Sequence, residues 1–190
     1  MKTQGAMASN RTKRNSTNRQ PLRAALRQIR LFATDVDGVL TDAGMYYSES
    51  GDEWKKFNTR DGMGIKLLQK AGLITAIVTQ ERTRLVARRA EKLAIPELHQ
   101  GVMDKLSLIR DMAERYGMPL DHIAYIGDDV NDIEALKAVG FSAAPADALP
   151  QVRKVVDYVC RQKGGEGAVR ELVEMILQSR SETKQTMRRR

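Results

Sequence analysis

The sequence predicts an α/β protein whose parallel sheet is covered by helices, and three observations carry that expectation. Short apolar runs at 31–36, 73–79, 98–101, 123–127, 140–144 and 155–159 alternate with helix-patterned segments, the order produced by strands joined through helical crossovers. Two acidic clusters, Asp35-Val36-Asp37-Gly38 and Gly127-Asp128-Asp129, each follow one of those runs, and in open α/β sheets ligands bind where strands end. A length of 190 residues suits one well-buried core and is short for two.

Leu31-Phe32-Ala33 opens the first strand. Residues 45–58 then break the alternation. Met45-Tyr46-Tyr47, the turn-rich Ser48–Asp52 and Glu53-Trp54-Lys55-Lys56-Phe57 predict a β-hairpin. Only about 40 residues separate the first acidic loop from Thr79, and this hairpin plus one helix use most of them, so a separate lid domain does not fit. The helix near 60–71 has Thr59 as its cap and Gly72 just past its end, and the next, near 82–94, stops before Pro96. Helices near 104–116, 131–138, 146–153 and 166–178 complete the pattern. No internal repeat is present.

Positive charge is concentrated at the ends. Residues 1–30 hold eight Lys or Arg and no acid, equal to the net charge of +8 for the whole chain, whereas Leu31 to Gln178 carries 23 acidic against 19 basic residues. The expected organisation is a basic, disordered tail over 1–30, a domain over 31–178, and a basic C-terminal tail over 179–190. Residues 8–20 are dominated by Asn, Ser, Thr, Gln and Arg, too polar to bury enough surface to order themselves. Such a start also has the composition of a transit peptide or of a non-specific nucleic-acid arm. No apolar stretch reaches membrane-span length and no signal-peptide core follows the N-terminus, so the expectation is a cytoplasmic protein. Cys160 is the single cysteine, which excludes an intrachain disulfide and predicts a small buried residue on a late strand.

The chemistry lies in the acidic clusters. Brought together at strand ends they would repel one another unless a hard divalent cation, Mg2+, lay between them, and that points to phosphate chemistry. Asp35 suits a nucleophile that attacks phosphorus without prior deprotonation. Asp37 suits the acid that protonates the leaving alkoxide and the base that then activates water. The metal set is Asp35, Asp37 through its backbone carbonyl, and Asp128, with Asp129 contributing directly or through water. Thr79, ending its strand, offers a hydroxyl and a backbone N–H to a phosphoryl oxygen, and Lys105 offsets phosphate charge.

These residues resemble a known family. Asp35-Val36-Asp37-Gly38, Thr79, Lys105 and Gly127-Asp128-Asp129 are similar to the four motifs of the haloacid dehalogenase (HAD) superfamily, Mg2+-dependent phosphohydrolases on a three-layer Rossmann-like fold. Asp35–Asp42, Lys56–Gly62, Gln100–Lys105, Tyr125–Asp129 and Gly164–Glu171 resemble its capless tetrameric branch over about 31–178. The resemblance implies a phosphoric monoester hydrolase that works through an aspartyl-phosphate. Its substrate would be a phosphorylated 2-keto-3-deoxy sugar acid of the 3-deoxy-D-manno-octulosonate (KDO) 8-phosphate type or, alternatively, a nonulosonate 9-phosphate. It also implies a homotetramer joined by hairpins such as 45–58, with the glycine-rich C-terminal segment covering a neighbouring active site. Tyr46, Tyr47, Trp54 and Phe57 pack on their own domain or, as the resemblance suggests, on other subunits.

Substrate contacts follow from the same resemblance. Arg60 and Arg89 correspond to substrate-binding positions, with Arg170 a further candidate for the sugar carboxylate. Glu81, Lys92 and Glu166 are more similar to the nonulosonate enzymes, whereas Asn58-Thr59-Arg60-Asp61-Gly62 resembles both groups, or slightly more the octulosonate one. One departure stands out: Gln80 follows Thr79 where the family usually has Gly, and its restricted φ would reshape the phosphate-binding loop. Two further readings belong to other classes. A polynucleotide end phosphatase would use the basic tail, but the acidic core offers no basic groove or stacking series. A non-catalytic binding subunit would lack an essential carboxylate, and Asp35, Asp37 and Asp128 are all present.

Overall fold

The alternation of the sequence becomes six parallel strands in this computed structural model, which describes residues 19–188, with side chains over 22–181. In chain order the strands are β1 (Leu31–Thr34), β2 (Tyr46–Tyr47), β3 (Glu53–Trp54), β4 (Ile74–Val78), β5 (Glu97–His99), β6 (Ile123–Ile126), β7 (Phe141–Ala144) and β8 (Tyr158–Val159). The helices are α1 (Arg19–Gln28), α2 (Thr59–Lys70), α3 (Arg84–Leu93), α4 (Lys105–Arg115), α5 (Ile133–Ala138), α6 (Pro150–Arg153) and α7 (Ala168–Arg188). The main sheet runs β5-β4-β1-β6-β7-β8, and β2-β3 form a separate antiparallel ribbon.

Both faces of the sheet are covered, so its central strands are mostly apolar rather than alternating. β1, β6 and β7 are buried at every position. Phe32 points into one core with Leu26 of α1, Leu68 of α2, Val86 of α3 and Val173 of α7. Leu31 and Ala33 point into the other, with Ile109 and Met112 of α4, Leu136 of α5 and Val152 of α6. The result is the three-layer α/β fold expected, with a hairpin and, among the described residues, no separate cap domain.

Strand order locates the site. From β1 the chain moves outward through β4 to β5, then returns to the opposite side of β1 for β6 and continues through β7 to β8. Direction reverses between β1 and β6, registered as Leu31 opposite Ile123 and Thr34 opposite Ile126. A crevice must open there, because the loops leaving the two strands diverge to opposite sides. Those loops are the two acidic clusters.

Several boundaries move. The expected domain start at Leu31 is too late: α1 lies within the segment read as a disordered tail, with Leu26 and Ile29 buried and Leu22 and Ala25 packed against the core. Leu22, Ala25, Leu26 and Ile29 keep helical spacing, a signal outweighed in the sequence by the surrounding Arg and Gln. The C-terminal limit also moves. α7 runs past Gln178, Ser179 is buried, Arg27 Nε donates to the Ser179 carbonyl (3.1 Å) and Arg180 Nη1 to that of Ile29 (2.7 Å). The rest of both tails, residues 1–18 and 189–190, lies outside the described residues. α2 is capped by Asn58, whose side chain accepts from the Arg60 N–H, and Thr59 is its first helical residue. Cys160 is buried as expected, and burial pushes its thiol up to about 12. No helix among the described residues is long and apolar enough to cross a membrane.

If α1 is part of the folded unit, Leu26→Ala should lower unfolding free energy by about 2–4 kcal/mol, read from the urea midpoint. A loss under about 0.5 kcal/mol would place α1 outside the cooperative core.

Candidate active site

The nucleophile candidate is set by an extension of the sheet. Asp35 N–H donates to the Ile126 carbonyl (3.0 Å), carrying the β1–β6 ladder one residue beyond Thr34. Immediately afterwards the chain turns, because the Val36 carbonyl gathers the N–H groups of Val39, Leu40 and Thr41 at 3.2, 2.9 and 3.0 Å. Gly38 sits in that turn at φ +73°, and a Cβ there would lie 2.0 Å from Asp128 Oδ2. Only glycine permits both the backbone angle and the close approach of the second acidic loop.

Behind Asp35 stands a buried charge relay of fixed geometry. Its Oδ1 accepts from Val36 N–H (2.7 Å) and its Oδ2 from Lys105 Nζ (2.7 Å). Lys105, at the start of α4 next to its Asp104 cap, donates also to Asp132 Oδ1 (2.6 Å). Asp132 is fully buried and saturated: Tyr125 OH reaches Oδ1 at 2.5 Å, and the N–H groups of Asp128 and Asp129 reach Oδ2 at 3.0 and 3.2 Å. Burial pulls the Lys105 pKa down, but Asp35 and Asp132 outweigh it and hold it above the usual lysine value. Removing one member of such a buried set costs about 3–5 kcal/mol, because a charge is left unpaired.

The donor set fits a hard cation. Asp35, Asp128 and Asp132 each place an oxygen within 4.8 Å of the others. Asp132 has its oxygens committed to four donors, so it orients the site rather than offering a ligand. Asp128 differs, since its buried Oδ1 has no hydrogen-bond partner. Burial, with the charges of Asp35, Asp132 and Asp129, lifts Asp128 to about 8. Burial, with Asp132, lifts Asp35 to about 7 against the opposing pull of Lys105. Two adjacent carboxyls that resist ionisation, one of them with a buried oxygen left without a partner, make an all-oxygen site for a small divalent ion. Asp129 lines the same cleft, although its Oδ1 is spent on Val130 N–H (2.5 Å) at the cap of the Val130–Asp132 turn.

In front of these groups lies a cavity of about 510 Å³ lined also by Asp37, Thr79, Gln80 and Glu81. The N–H of Thr79 bonds to the His99 carbonyl (2.9 Å), so of the two donors expected from this residue only the hydroxyl is left for a ligand. Gln80 spans the rim: its Oε1 accepts from Asn131 Nδ2 (3.1 Å), and its Nε2 lies 3.5 Å from Met103 Sδ. Asp37 Oδ1 accepts from Lys55 Nζ (2.6 Å), and Lys55 also pairs with Glu81. Lys55, Asp132 and Tyr125 are the residues to which the sequence reading assigned no role. Asp132 had a readable signal, an acid four residues after Asp128, whereas the Lys55 contact depends on how the hairpin folds back.

The other expected contacts lie elsewhere. Arg60 and Arg170 line a separate cavity of about 460 Å³ beside Glu166. Arg89 Nη2 donates to the Asn58 carbonyl (2.8 Å) and its guanidinium stacks on Phe57 at 5.4 Å, away from the Asp35 cleft. Lys92 is exposed on α3. The glycine-rich segment packs under the chain's own first acidic loop. Gly165 N–H donates to the Val39 carbonyl (3.0 Å), and a Cβ on Gly164 would lie 1.9 Å from the Gly38 carbonyl oxygen.

Comparison with known proteins places this arrangement in context. The haloacid dehalogenase-like hydrolase family profile matches residues 94–172. Among curated proteins, 3-deoxy-D-manno-octulosonate 8-phosphate phosphatase of Escherichia coli K12 is 41% identical over 154 residues, 81% of this chain and 82% of that protein. Among solved structures, the corresponding phosphatase from Moraxella catarrhalis, in complex with magnesium, phosphate and KDO, is 37% identical with a TM-score of 0.85. That match covers 90% of this chain and 98% of the other. The cobalt-bound enzyme from Haemophilus influenzae is 39% identical with a TM-score of 0.79, covering 83% and 92%.

The raised carboxyls have a measurable consequence. With folded values near 7 and 8 against an ordinary 3.8, Asp35 and Asp128 hold protons more tightly folded than unfolded. Ionising them as pH climbs from about 4 to about 8 therefore subtracts stability from the metal-free protein. A cation that binds the ionised form displaces those protons. Titration calorimetry at pH 7 in buffers of different ionisation enthalpy should register proton release on adding Mg2+, with affinity rising from about pH 6 to 8.5. Binding without proton release would show that the two carboxyls are already ionised in the metal-free protein or lie outside the ligand set.

Proposed function

The chain is a haloacid dehalogenase-like hydrolase, and on that premise we propose that it hydrolyses the phosphate monoester of KDO 8-phosphate in a Mg2+-dependent reaction. The observation that carries this reading is Asp35 at the reversal of the sheet, pinned by Lys105 beside the unpartnered oxygen of Asp128. The phosphatases to which the chain is similar act on that substrate by name, and one of them holds magnesium, phosphate and KDO.

In the proposed mechanism Asp35 attacks phosphorus and the sugar oxygen leaves. The Asp37 carboxyl gives that oxygen its proton, then takes one from the water that hydrolyses the aspartyl-phosphate. Asp35, Asp128 and the Asp37 carbonyl would hold Mg2+, which would supply positive charge to offset that of the phosphate. The Thr79 hydroxyl holds a phosphoryl oxygen. Lys105 keeps Asp35 oriented from behind, since its ammonium is already shared by two buried carboxylates.

The sugar carboxylate needs a cation, and of the arginines proposed for it none lines the Asp35 cleft. We therefore assign that contact to a neighbouring copy in a homotetramer, with Arg60 and Arg170 among the groups presented across the interface. Support comes from the hairpin, where Tyr46, Tyr47 and Trp54 are 46%, 67% and 52% exposed, more aromatic surface than a free ribbon needs.

Asp35→Asn should reduce KDO 8-phosphate turnover by at least about a thousandfold while the far-UV circular dichroism spectrum stays that of the folded wild type, and EDTA should silence the wild type. Steady-state kinetics should also give a higher kcat/KM for KDO 8-phosphate than for a nonulosonate 9-phosphate. Activity surviving the substitution would remove Asp35 as nucleophile. For assembly, sedimentation should show a tetramer that Tyr47→Glu dissociates with loss of activity. A fully active monomer would contradict the shared site.

A further inference from the structure

Lys55 occupies an unusual position for a residue of a surface ribbon. It directly follows β3, and strand alternation turns Trp54 and Lys56 outward while Lys55 turns inward. Trp54 is 52% exposed and the Lys56 side chain 57% exposed, whereas the side chain of Lys55 has no exposed surface. Burying an ammonium is costly unless it is paired. Here two carboxylates from two different loops hold it: Asp37, after β1, and Glu81, after β4. No other side chain among the described residues bonds Asp37, and Lys55 engages only its Oδ1.

We propose that Lys55 is the positioning residue for Asp37, anchored by Glu81 so that the free oxygen of Asp37 faces the leaving group. The inference rests on the reading of Asp37 as acid and base. Each carboxylate of the reaction then has its own lysine from a separate element: Lys105 of α4 holds Asp35, and Lys55 of the hairpin holds Asp37. Without Lys55, Asp37 would lose the side chain that holds it and its tie to Glu81. Lys55 moves no proton. As the Asp35–phosphorus bond forms and the phosphorus–oxygen bond of the ester breaks, the proton passes from Asp37 to the ester oxygen. In the second step it passes from water to Asp37. The arrangement also ties the hairpin that carries the exposed aromatics to the reacting groups, since displacing the ribbon would withdraw Lys55.

The test uses the full-length, Mg2+-loaded enzyme with Lys55→Ala and the conservative Lys55→Arg. Substrates are KDO 8-phosphate, glycerol phosphate and p-nitrophenyl phosphate, and leaving-group release is followed by rapid mixing. An alkoxide needs a proton to leave and nitrophenolate does not. Lys55→Ala should therefore slow release from both alkyl esters about a hundredfold at saturation, with KM within about threefold and the nitrophenolate burst changed by less than about threefold. Lys55→Arg should recover most of the loss, and circular dichroism melting should match the wild type. Equal losses on all substrates, a raised KM at unchanged kcat, or no loss would each overturn the proposal. Wild-type hydrolysis of glycerol phosphate but not KDO 8-phosphate would strike the substrate reading and leave the Lys55 comparison intact. Failure on every alkyl ester would remove the acid role of Asp37 and the inference with it.

Discussion

The structure is organised around the crowding of like charges at one buried point. Asp35, Asp128 and Asp132 bring oxygens within 4.8 Å of one another where β1 and β6 end, a placement that is unfavourable on its own. Lys105 neutralises part of it by bridging Asp35 and Asp132, and Asp132 takes four donors from the surrounding chain. What is left uncompensated is concentrated on Asp128 and the cleft-facing side of Asp35. The fold thus crowds carboxyls that hold protons or take a cation to relieve their repulsion, and a cation bound there would face an incoming phosphate.

Maintaining that cluster sets demands on distant elements. The reversal of strand order carries the two loops apart and opens the crevice, while Gly38 lets Asp128 pass within van der Waals range of the opposite turn. The turn itself is supported from below by Gly164 and Gly165, where a side chain at Gly164 would collide with the Gly38 carbonyl. The glycine-rich segment is held in turn by Asn58, whose Nδ2 donates to the Gly165 carbonyl (3.1 Å), and by Asp61, which accepts from the N–H of Arg170 (2.7 Å). Motifs far apart in the chain are therefore layers of a single support under the nucleophile loop.

The rim is built on other terms. Its contacts come from short loops and from the hairpin, whose paired strands are two residues each. Lys55 joins three segments there, and Gln80 ties the loop after β4 to that after β6 through Asn131. A ribbon this short is marginal alone. Its geometry gains support from the ion pairs that Lys55 makes in the cleft and, in the proposed tetramer, from burial of the aromatic face.

The sequence by itself determined the layered α/β architecture, the hairpin and the meeting of the two acidic loops, because each is written in a local period or in residues adjacent to a strand end. Strand cores emerged as read, with ends shifted by one to three residues. Other features were decided by tertiary contact. α1 is built from polar residues around a thin apolar stripe, and only docking on α7 makes it part of the core. Arg89 has the residue type of a substrate contact, yet packing against Phe57 and the Asn58 carbonyl directs it away from the cleft. Arg60 and Arg170, distant in sequence, share a cavity that no spacing rule announces. Thr79 loses its N–H to β5, and Lys55 gains two carboxylates from loops outside its own ribbon. Residue type and local period specify what a side chain is able to do; its partners, and hence what it does, depend on which segments the closed fold brings within a few ångströms.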